Sequence, residues 1–243
     1  MLGYVTRSTP EDWVERARRG EKVDAVPAAT VVLLRDGADG LETLMVRRNS
    51  KLDFAGGMWV FPGGRVDPGD IPETGDELEA ARAAAVREAG EEAGLAVDAA
   101  AMVPFAHWVP PPVAPKRFAT WFFMGPAPDG AVTIDGGEIH EHRWLGPEGV
   151  LASREAGEVE LLPPTWVTLH RLARFDGVAA ALDHARATPL EFFETHIARV
   201  EGGVAALWQG DAGYDASDPD APEPHHRLYM VESGWHYDRA GLD

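Results

Sequence analysis

The chain has no cysteine among its 243 residues. Disulfides and thiolate metal sites are therefore excluded, and any metal must be held by oxygen or imidazole ligands. There is no apolar run long enough to cross a bilayer, so no membrane partner is expected. The opening Met1-Leu2-Gly3-Tyr4 lacks a basic segment followed by an apolar one, which predicts no secretory signal and a cytoplasmic location. Positive charge is scarce as well: 22 Lys and Arg stand against 40 Asp and Glu, for a net charge of -18. Such a surface repels phosphate backbones and excludes nucleic acid as a general partner. An anionic substrate would need a cation or a local basic cluster, so the excess of acid itself points toward a metal.

The sequence also lacks internal repeats, long low-complexity linkers and the regular strand-helix alternation of a Rossmann fold. With 45% hydrophobic residues it can bury a sizeable core. The length suits one core domain with additions. Residues 1–26 read as an N-terminal helical arm, since Thr9-Pro10-Glu11-Asp12 can cap a helix. Residues 27–160 read as the core, and 161–243 as a helix-and-strand extension packed on it. Within the core, β-branched runs at Ala28–Leu34 and Leu41–Val46 flank the turn Asp36-Gly37-Ala38-Asp39-Gly40 and predict a hairpin. Met58–Phe61 reads as a short strand ending at Pro62-Gly63-Gly64. A helix is expected from the capping segment Thr74-Gly75-Asp76-Glu77 to about Ala93, stopped by Gly94. Strands are expected at 102–108, 118–124 and 139–144, one helix from Leu162 to about Ala187, and a final strand over 227–237. The stretch 192–208 is ambiguous. Strands with a central helix and a later helix predict a mixed α/β sandwich.

The chemistry concentrates at the end of the central helix, Arg87-Glu88-Ala89-Gly90-Glu91-Glu92-Ala93-Gly94-Leu95. At 100° per residue Glu88, Glu91 and Glu92 share one face. Three carboxylates on one stripe repel one another unless a cation sits among them, and hard divalent ions such as Mg²⁺ and Mn²⁺ prefer oxygen. The acids also stand at the negative end of the helix dipole. Arg87 can pair with Glu91 four residues on, or brace the glycine turn upstream.

This segment resembles the Nudix box, G-x5-E-x7-R-E-U-x-E-E-x-G-U, where U is aliphatic. Arg87, Glu88, Ala89, Glu91, Glu92, Gly94 and Leu95 match its second half, and Glu79 stands at the E-x7-R spacing. The glycine, however, is nine residues too early: Glu73 occupies its place, while Gly64 is followed at the right distance by Asp70. The two halves are separated by an insertion, and either Asp70 or Glu79 serves as the first acid. The resemblance implies an α/β/α sandwich with a mixed β-sheet and a C-terminal helical extension. It implies Mg²⁺ or Mn²⁺ on Glu88, Glu91 and Glu92, with Arg87 in the catalytic set and Gly63 and Gly64 offering backbone contacts to substrate. A further acid from a later loop acts as base or ligand in such proteins; Glu138 and Glu141 are the candidates, and Glu141 is placed in the catalytic set. The activity implied is hydrolysis of the diphosphate linkage of a small nucleoside diphosphate derivative. Such proteins are often dimers, so a homodimer is the assembly allowed.

Arg47, Arg48 and Lys51 form a basic cluster in an acidic chain and are candidates for a terminal phosphate, with Lys116 and Arg117 a weaker pair. Trp59, Phe105, Trp108 and Trp121 could stack a base, although strand aromatics are more often core. His107, His140 and His142 read as structural. The insertion, Phe61-Pro62-Gly63-Gly64, the strand at Lys116-Arg117-Phe118 to Phe123 and the helix opening at Leu162-Pro163-Pro164 resemble the split-box coenzyme A and acyl-CoA diphosphatase branch. Gly57 fits that branch and Asp53 departs from it, which keeps ADP-ribose and NADH as alternative substrates. A sensor that binds without cutting is the reading from another class; it would be expected to lose the helix acids or the arginine, and this chain keeps both.

Overall fold

The apolar run that begins at Val26 folds back against the run that ends at Arg48. In the computed structural model, which describes residues 19, 22–52, 55–134 and 136–242, these runs are β1 (Val26–Gly37) and β2 (Gly40–Arg48). They pair antiparallel from Leu34↔Thr43 to Gly37↔Gly40, as the turn signals predict. The helix start expected at Thr9–Asp12, and nearly all of the proposed arm, lie outside the described residues.

The chain divides into two compact units. The first holds Pro27–Ala106 and Thr120–Glu191 and so runs past the sequence boundary drawn at 160. Its strands are β1, β2, β3 (Trp59–Val60), β4 (Gly63–Arg65), β5 (Val103–Val109), β6 (Phe118–Pro126) and β7 (Ile139–Leu145). Their order is β3-β2-β1-β6-β5, with β4 paired to β1 and β7 to β2. Along β1, Val31, Val32, Leu33 and Leu34 are all buried although successive side chains face opposite ways. A strand buried on both faces needs a layer on each side.

One layer is α1 (Glu77–Ala93). Ala81, Ala85, Ala89 and Ala93 recur every four residues and pack against Val31, Leu33, Leu44, Val46 and Phe123. Their methyl groups let the helix axis lie close to the strands. Asp76 caps the helix by accepting from the Glu79 N–H at 2.9 Å, and Gly94 ends it at φ 67. The other layer comes from α2 (Pro147–Glu155), α3 (Pro163–Leu172) and α4 (Val178–Ala187). The mixed α/β sandwich expected from the sequence is thereby formed. The single helix expected over 162–187 is instead two. Gly177 is extended, and Asp36 starts α4 afresh by accepting from the Val178 N–H at 2.8 Å. α2 was not anticipated, because Gly146-Pro147-Glu148-Gly149 has the composition of a turn.

The second unit holds the described residues up to Val26, His107–Ala119 and those from Phe192 on. β8 (Glu191–Glu194) leads into it, and β9 (His196–Val200), β10 (Gly203–Leu207), β11 (Arg227–Val231) and β12 (Gly234–Asp238) form a sheet of order β12-β11-β10-β9. The ambiguous stretch 192–208 thus holds parts of three strands separated at Thr195 and by the turn Glu201-Gly202, and the single strand expected over 227–237 is a hairpin. Gly202 and Gly234 permit both turns, at φ 74 and 134. At the start of β11, Arg227 forms a fully buried pair with Asp211, Nε to Oδ2 at 2.7 Å and Nη2 to Oδ1 at 2.6 Å. Trp108 stacks on Phe193 at 3.8 Å between ring centroids. Among the described residues no helix is long and apolar enough to cross a membrane.

Candidate active site

The site begins with a strand whose first two residues are glycines. β4 pairs with β1 through Ala28↔Arg65, Ala29↔Gly64 and Thr30↔Gly63. Thr30 Oγ1 donates to the Pro62 carbonyl at 2.6 Å and fixes the bend before it. A Cβ on Gly63 would stand 2.4 Å from the Ala29 carbonyl oxygen. A Cβ on Gly64 would stand 2.2 Å from Glu88 Oε1. The two missing side chains therefore let the acidic end of α1 lie directly on β4. The Gly63 N–H donates to Glu92 Oε2 at 3.0 Å.

Arg87 gathers the rest. Its guanidinium donates to both Asp70 oxygens at 3.1 and 2.9 Å, to the Arg65 carbonyl at 2.9 Å, to Glu88 at 2.9 Å and to Glu91 at 3.0 Å. It thus pairs with Glu91 and braces the glycine strand at once. Asp70 closes the 3-10 turn Pro68–Asp70, where its carboxylate also accepts from the Asp67 N–H at 2.8 Å. Glu79 is exposed in the first turn of α1, and its charge is felt by Arg82. The structure therefore seats Asp70, not Glu79, against the arginine.

The electrostatics follow from this packing. Hydrogen bonding to Asp70 holds the Arg87 guanidinium above its usual range, against the opposing effect of burial. Burial alone would raise the Asp70 carboxyl, but the Arg87 hydrogen bond, the Asp67 N–H and the Arg87 charge bring it below the usual range. Glu88 is raised, first by burial and then by the charges of Glu91 and Glu138, with Arg87 opposing. Glu92, 5% exposed, is pushed up to about 7 by burial, against the Gly63 N–H and Arg48.

Arg48 reaches the same place from β2. It lies 3.7 Å from Glu92 and 3.3 Å from Glu138. Asn49 fixes the loop bearing Glu138 by donating to the Gly137 and Glu138 carbonyls at 3.0 and 2.7 Å. Glu141 lies elsewhere: it is the cross-strand partner of Arg47, 3.6 Å away, and accepts from Arg143 Nε at 2.7 Å. The basic cluster is thus divided, with Arg48 among the carboxylates, Arg47 on Glu141 and Lys51 exposed. Arg117 donates to the Pro110 and Val23 carbonyls, which accounts for that residue of the weaker pair. Trp59 is buried with Arg143 over its ring at 5.3 Å, Phe105 meets Phe122 edge-on at 6.1 Å, and Trp121 packs on the α1 core. Trp108 and His107 belong to the second unit, while His140 and His142 lie on β7.

The model of the NUDIX domain matches residues 25–164, more than half of the chain. The chain belongs to the NUDIX domain family. A NUDIX hydrolase from Alicyclobacillus acidocaldarius is similar over 66% of this chain and 96% of its own, at 25% identity and a TM-score of 0.60. The NUDIX domain of NrtR from Shewanella oneidensis, in a cocrystal with ADP ribose, is similar over 72% of this chain and 98% of its own, at 17% identity and a TM-score of 0.48. No curated protein matches the chain.

The Nudix assignment makes the protein a hydrolase of a family that generally uses divalent metal ions. The donor set fits such an ion in kind, since Glu88, Glu91, Glu92 and Glu138 offer only oxygen, and burial with neighbouring negative charge raises the proton affinity of Glu88 and Glu92. Among the described residues, no three or more His, Asp or Glu side chains are already arranged to hold an ion. Instead, Arg87 and Arg48 engage the carboxylates. A cation would take over the neutralising part that the two arginines play here.

Proposed function

We propose that this Nudix hydrolase is a divalent-cation-dependent pyrophosphohydrolase that cuts the diphosphate linkage of a nucleoside diphosphate derivative, with coenzyme A or an acyl-CoA as its substrate. The observation that carries the reading is the Arg87 hub. Through it, Asp70 from one half of the split box and Glu88 and Glu91 from the other converge on one side chain beside β4.

Glu88, Glu91 and Glu92 would hold Mg²⁺ or Mn²⁺. Such an ion, when bound, neutralises diphosphate charge and makes coordinated water more acidic. Arg87 and Asp70 fix the helix end against the glycine strand, and Gly63 and Gly64 allow a substrate to approach the backbone there. Arg48 orients Glu92 and Glu138 together. Of the two later acids, Glu138 has the better support as the base that takes the proton of the attacking water, because it shares Arg48 with Glu92. Glu141 instead steadies Arg47, which with Lys51 would meet a terminal phosphate. Coenzyme A is favoured by the split-box resemblance, and ADP-ribose and NADH are the alternatives.

The test is hydrolysis of coenzyme A, acetyl-CoA, ADP-ribose and NADH with Mg²⁺ or Mn²⁺, the products separated by mass. Two monophosphate-bearing products from coenzyme A are expected. Glu91 is an exposed group, so Glu91→Gln should stay folded yet lose about 100-fold or more in kcat, the scale of a proton-transfer or metal-ligand group. Turnover in that variant equal to wild type would remove the helix from the chemistry. Cleavage of ADP-ribose or NADH alone would reassign the substrate, and tight binding without turnover under either metal would make the protein a sensor.

A further inference from the structure

The chain contains a single asparagine, Asn49, directly after β2. Among the described residues, Asp98, Asp211, Asp218 and Asp238 each accept from the backbone N–H two residues on, at 2.8 to 3.1 Å. Asn49 makes the same turn, its Oδ1 accepting from the Lys51 N–H at 3.0 Å. An aspartate would serve for that bond. It could not donate, because an ionised carboxylate only accepts. Asn49 Nδ2 does donate, to the Gly137 carbonyl at 3.0 Å. The chain thus departs from aspartate at a turn where the side chain must also be a donor.

The other side of that bond is the connector from β6 to β7, residues 127–138, which carries Glu138. The middle of the connector is held by α1. The Thr133 N–H donates to the Ala93 carbonyl at 2.8 Å, and Val132 and Ile134 pack on the α1 core. Toward its end, the ladder of β2 with β7 shifts register between Arg47 and Arg48 and stops at Arg48↔Ile139. Asn49 takes over there. Its N–H donates to the Glu138 carbonyl at 2.7 Å, and its side chain donates to the carbonyl just before. Arg48 meanwhile donates to the Glu138 carboxylate at 3.3 Å. Two successive residues therefore grip Glu138, Arg48 at its charge and Asn49 at its backbone. A carboxylate is aimed by the backbone that bears it, and a misplacement of about 1 Å can cost about 100-fold in rate.

We propose that Asn49 is a positioning residue that sets Glu138 for the reaction, through the bond from its side-chain amide to the Gly137 carbonyl. It acts through Glu138 and not on the substrate. The inference rests on the proposed role of Glu138 as the base.

The test uses the full chain with Asn49→Ala, Asn49→Asp, Glu138→Gln and the double variant Asn49→Ala with Glu138→Gln. Asn49→Asp keeps the turn with Lys51 and loses the donor, whereas Asn49→Ala loses both and adds no charge. An effect common to the two therefore belongs to the Gly137 bond. Hydrogen exchange in peptides covering Gly136–Ile139 should be about 5-fold faster in both, the effect of one net hydrogen bond, with the peptides of α1 unchanged. With a substrate that the wild-type chain hydrolyses, both should lower kcat about 10-fold and change KM less than about 2-fold. In the Glu138→Gln background, Asn49→Ala should change kcat less than about 2-fold, because the group it positions is gone. Unchanged exchange, an effect of Asn49→Asp alone, or the same loss of kcat in both backgrounds would overturn the proposal while leaving Glu138 as the base. Wild-type turnover in Glu138→Gln would overturn the base assignment and this proposal with it. No turnover of any substrate by the wild-type chain would overturn the pyrophosphohydrolase reading, and the exchange result would then decide the hold of Asn49 on the connector by itself.

Discussion

Glu92 is the residue on which the sequence is least informative and the structure most. In the sequence it is one of three glutamates on a stripe. In the fold it is the buried one, held by the Gly63 N–H and faced by Arg48. Its proton affinity in the folded state, about 7, exceeds the value of 4.5 for an unburied glutamate, so the folded chain binds that proton more tightly than the unfolded one. The resulting stability is complete below pH 4.5 and is lost as pH rises through 7. Without metal, urea stability should fall by roughly 3 kcal/mol between pH 5 and pH 9 from this group. Glu92→Gln should flatten that slope, and Mg²⁺ should oppose it by favouring the carboxylate. A slope unchanged in Glu92→Gln would remove Glu92 as its cause. The pattern on the helix showed which glutamates to consider. It could not show that Glu91 is exposed while Glu92 is buried, because that depends on where β4 runs.

At the scale of elements, the extent of α1 was legible and its cap was not. Its stop at Gly94 follows from a local rule and the structure bears it out, but its cap is Asp76 bound to the Glu79 N–H and not the Thr74–Glu77 box, and Arg87 fills both of the two roles offered as alternatives. The first acid was not legible, since spacing allowed both Asp70 and Glu79. The 3-10 turn brings Asp70 back against the helix from 17 positions upstream of Arg87, and on that contact we propose Asp70 as the first acid. Asp70→Ala should therefore lower turnover at least about 10-fold and cost about 3 kcal/mol, since it strips a charged partner from Arg87. Glu79→Ala, on an exposed helix face, should change stability by no more than about 0.5 kcal/mol. Equal effects from the two substitutions, read by urea midpoint and kcat, would reopen the assignment. Glu138 shows the complementary limit: the sequence offered it beside Glu141, and only the pairing of β2 with β7 and the Asn49 contacts separate the two.

At the scale of the molecule, the composition was a poor guide to what the C-terminal part builds. The first unit's sandwich follows from runs and turns that are each local. The second unit's sheet depends on hairpins whose strands are five residues long and on the buried Asp211–Arg227 pair, which no periodicity reveals. The net charge does carry a prediction at this scale. Like charges repel across the whole surface, and raising NaCl from about 20 to about 200 mM shortens their reach from roughly 20 Å to roughly 7 Å. The thermal midpoint should rise by about 2 to 4 °C over that range, as expected for about 1 kcal/mol in a chain of this size. A midpoint that falls would mean that favourable ion pairs, such as those of Arg87, outweigh the general repulsion.

The turn between Asp70 and Asp76 has a consequence for how such chains are recognised and altered. Everything that grips Arg87 from upstream is complete at Asp70, and everything that starts the helix begins at Asp76. The chain between, with Gly75 in open space at φ 71 and an exposed Ile71, serves only to connect them. A search pattern that fixes the distance from glycine to arginine passes over this chain, whereas one that treats that distance as a variable gap finds it. The same gap is the position where a tag or a fluorophore-bearing segment can be spliced in with the contacts of Arg87 on both sides left as they are.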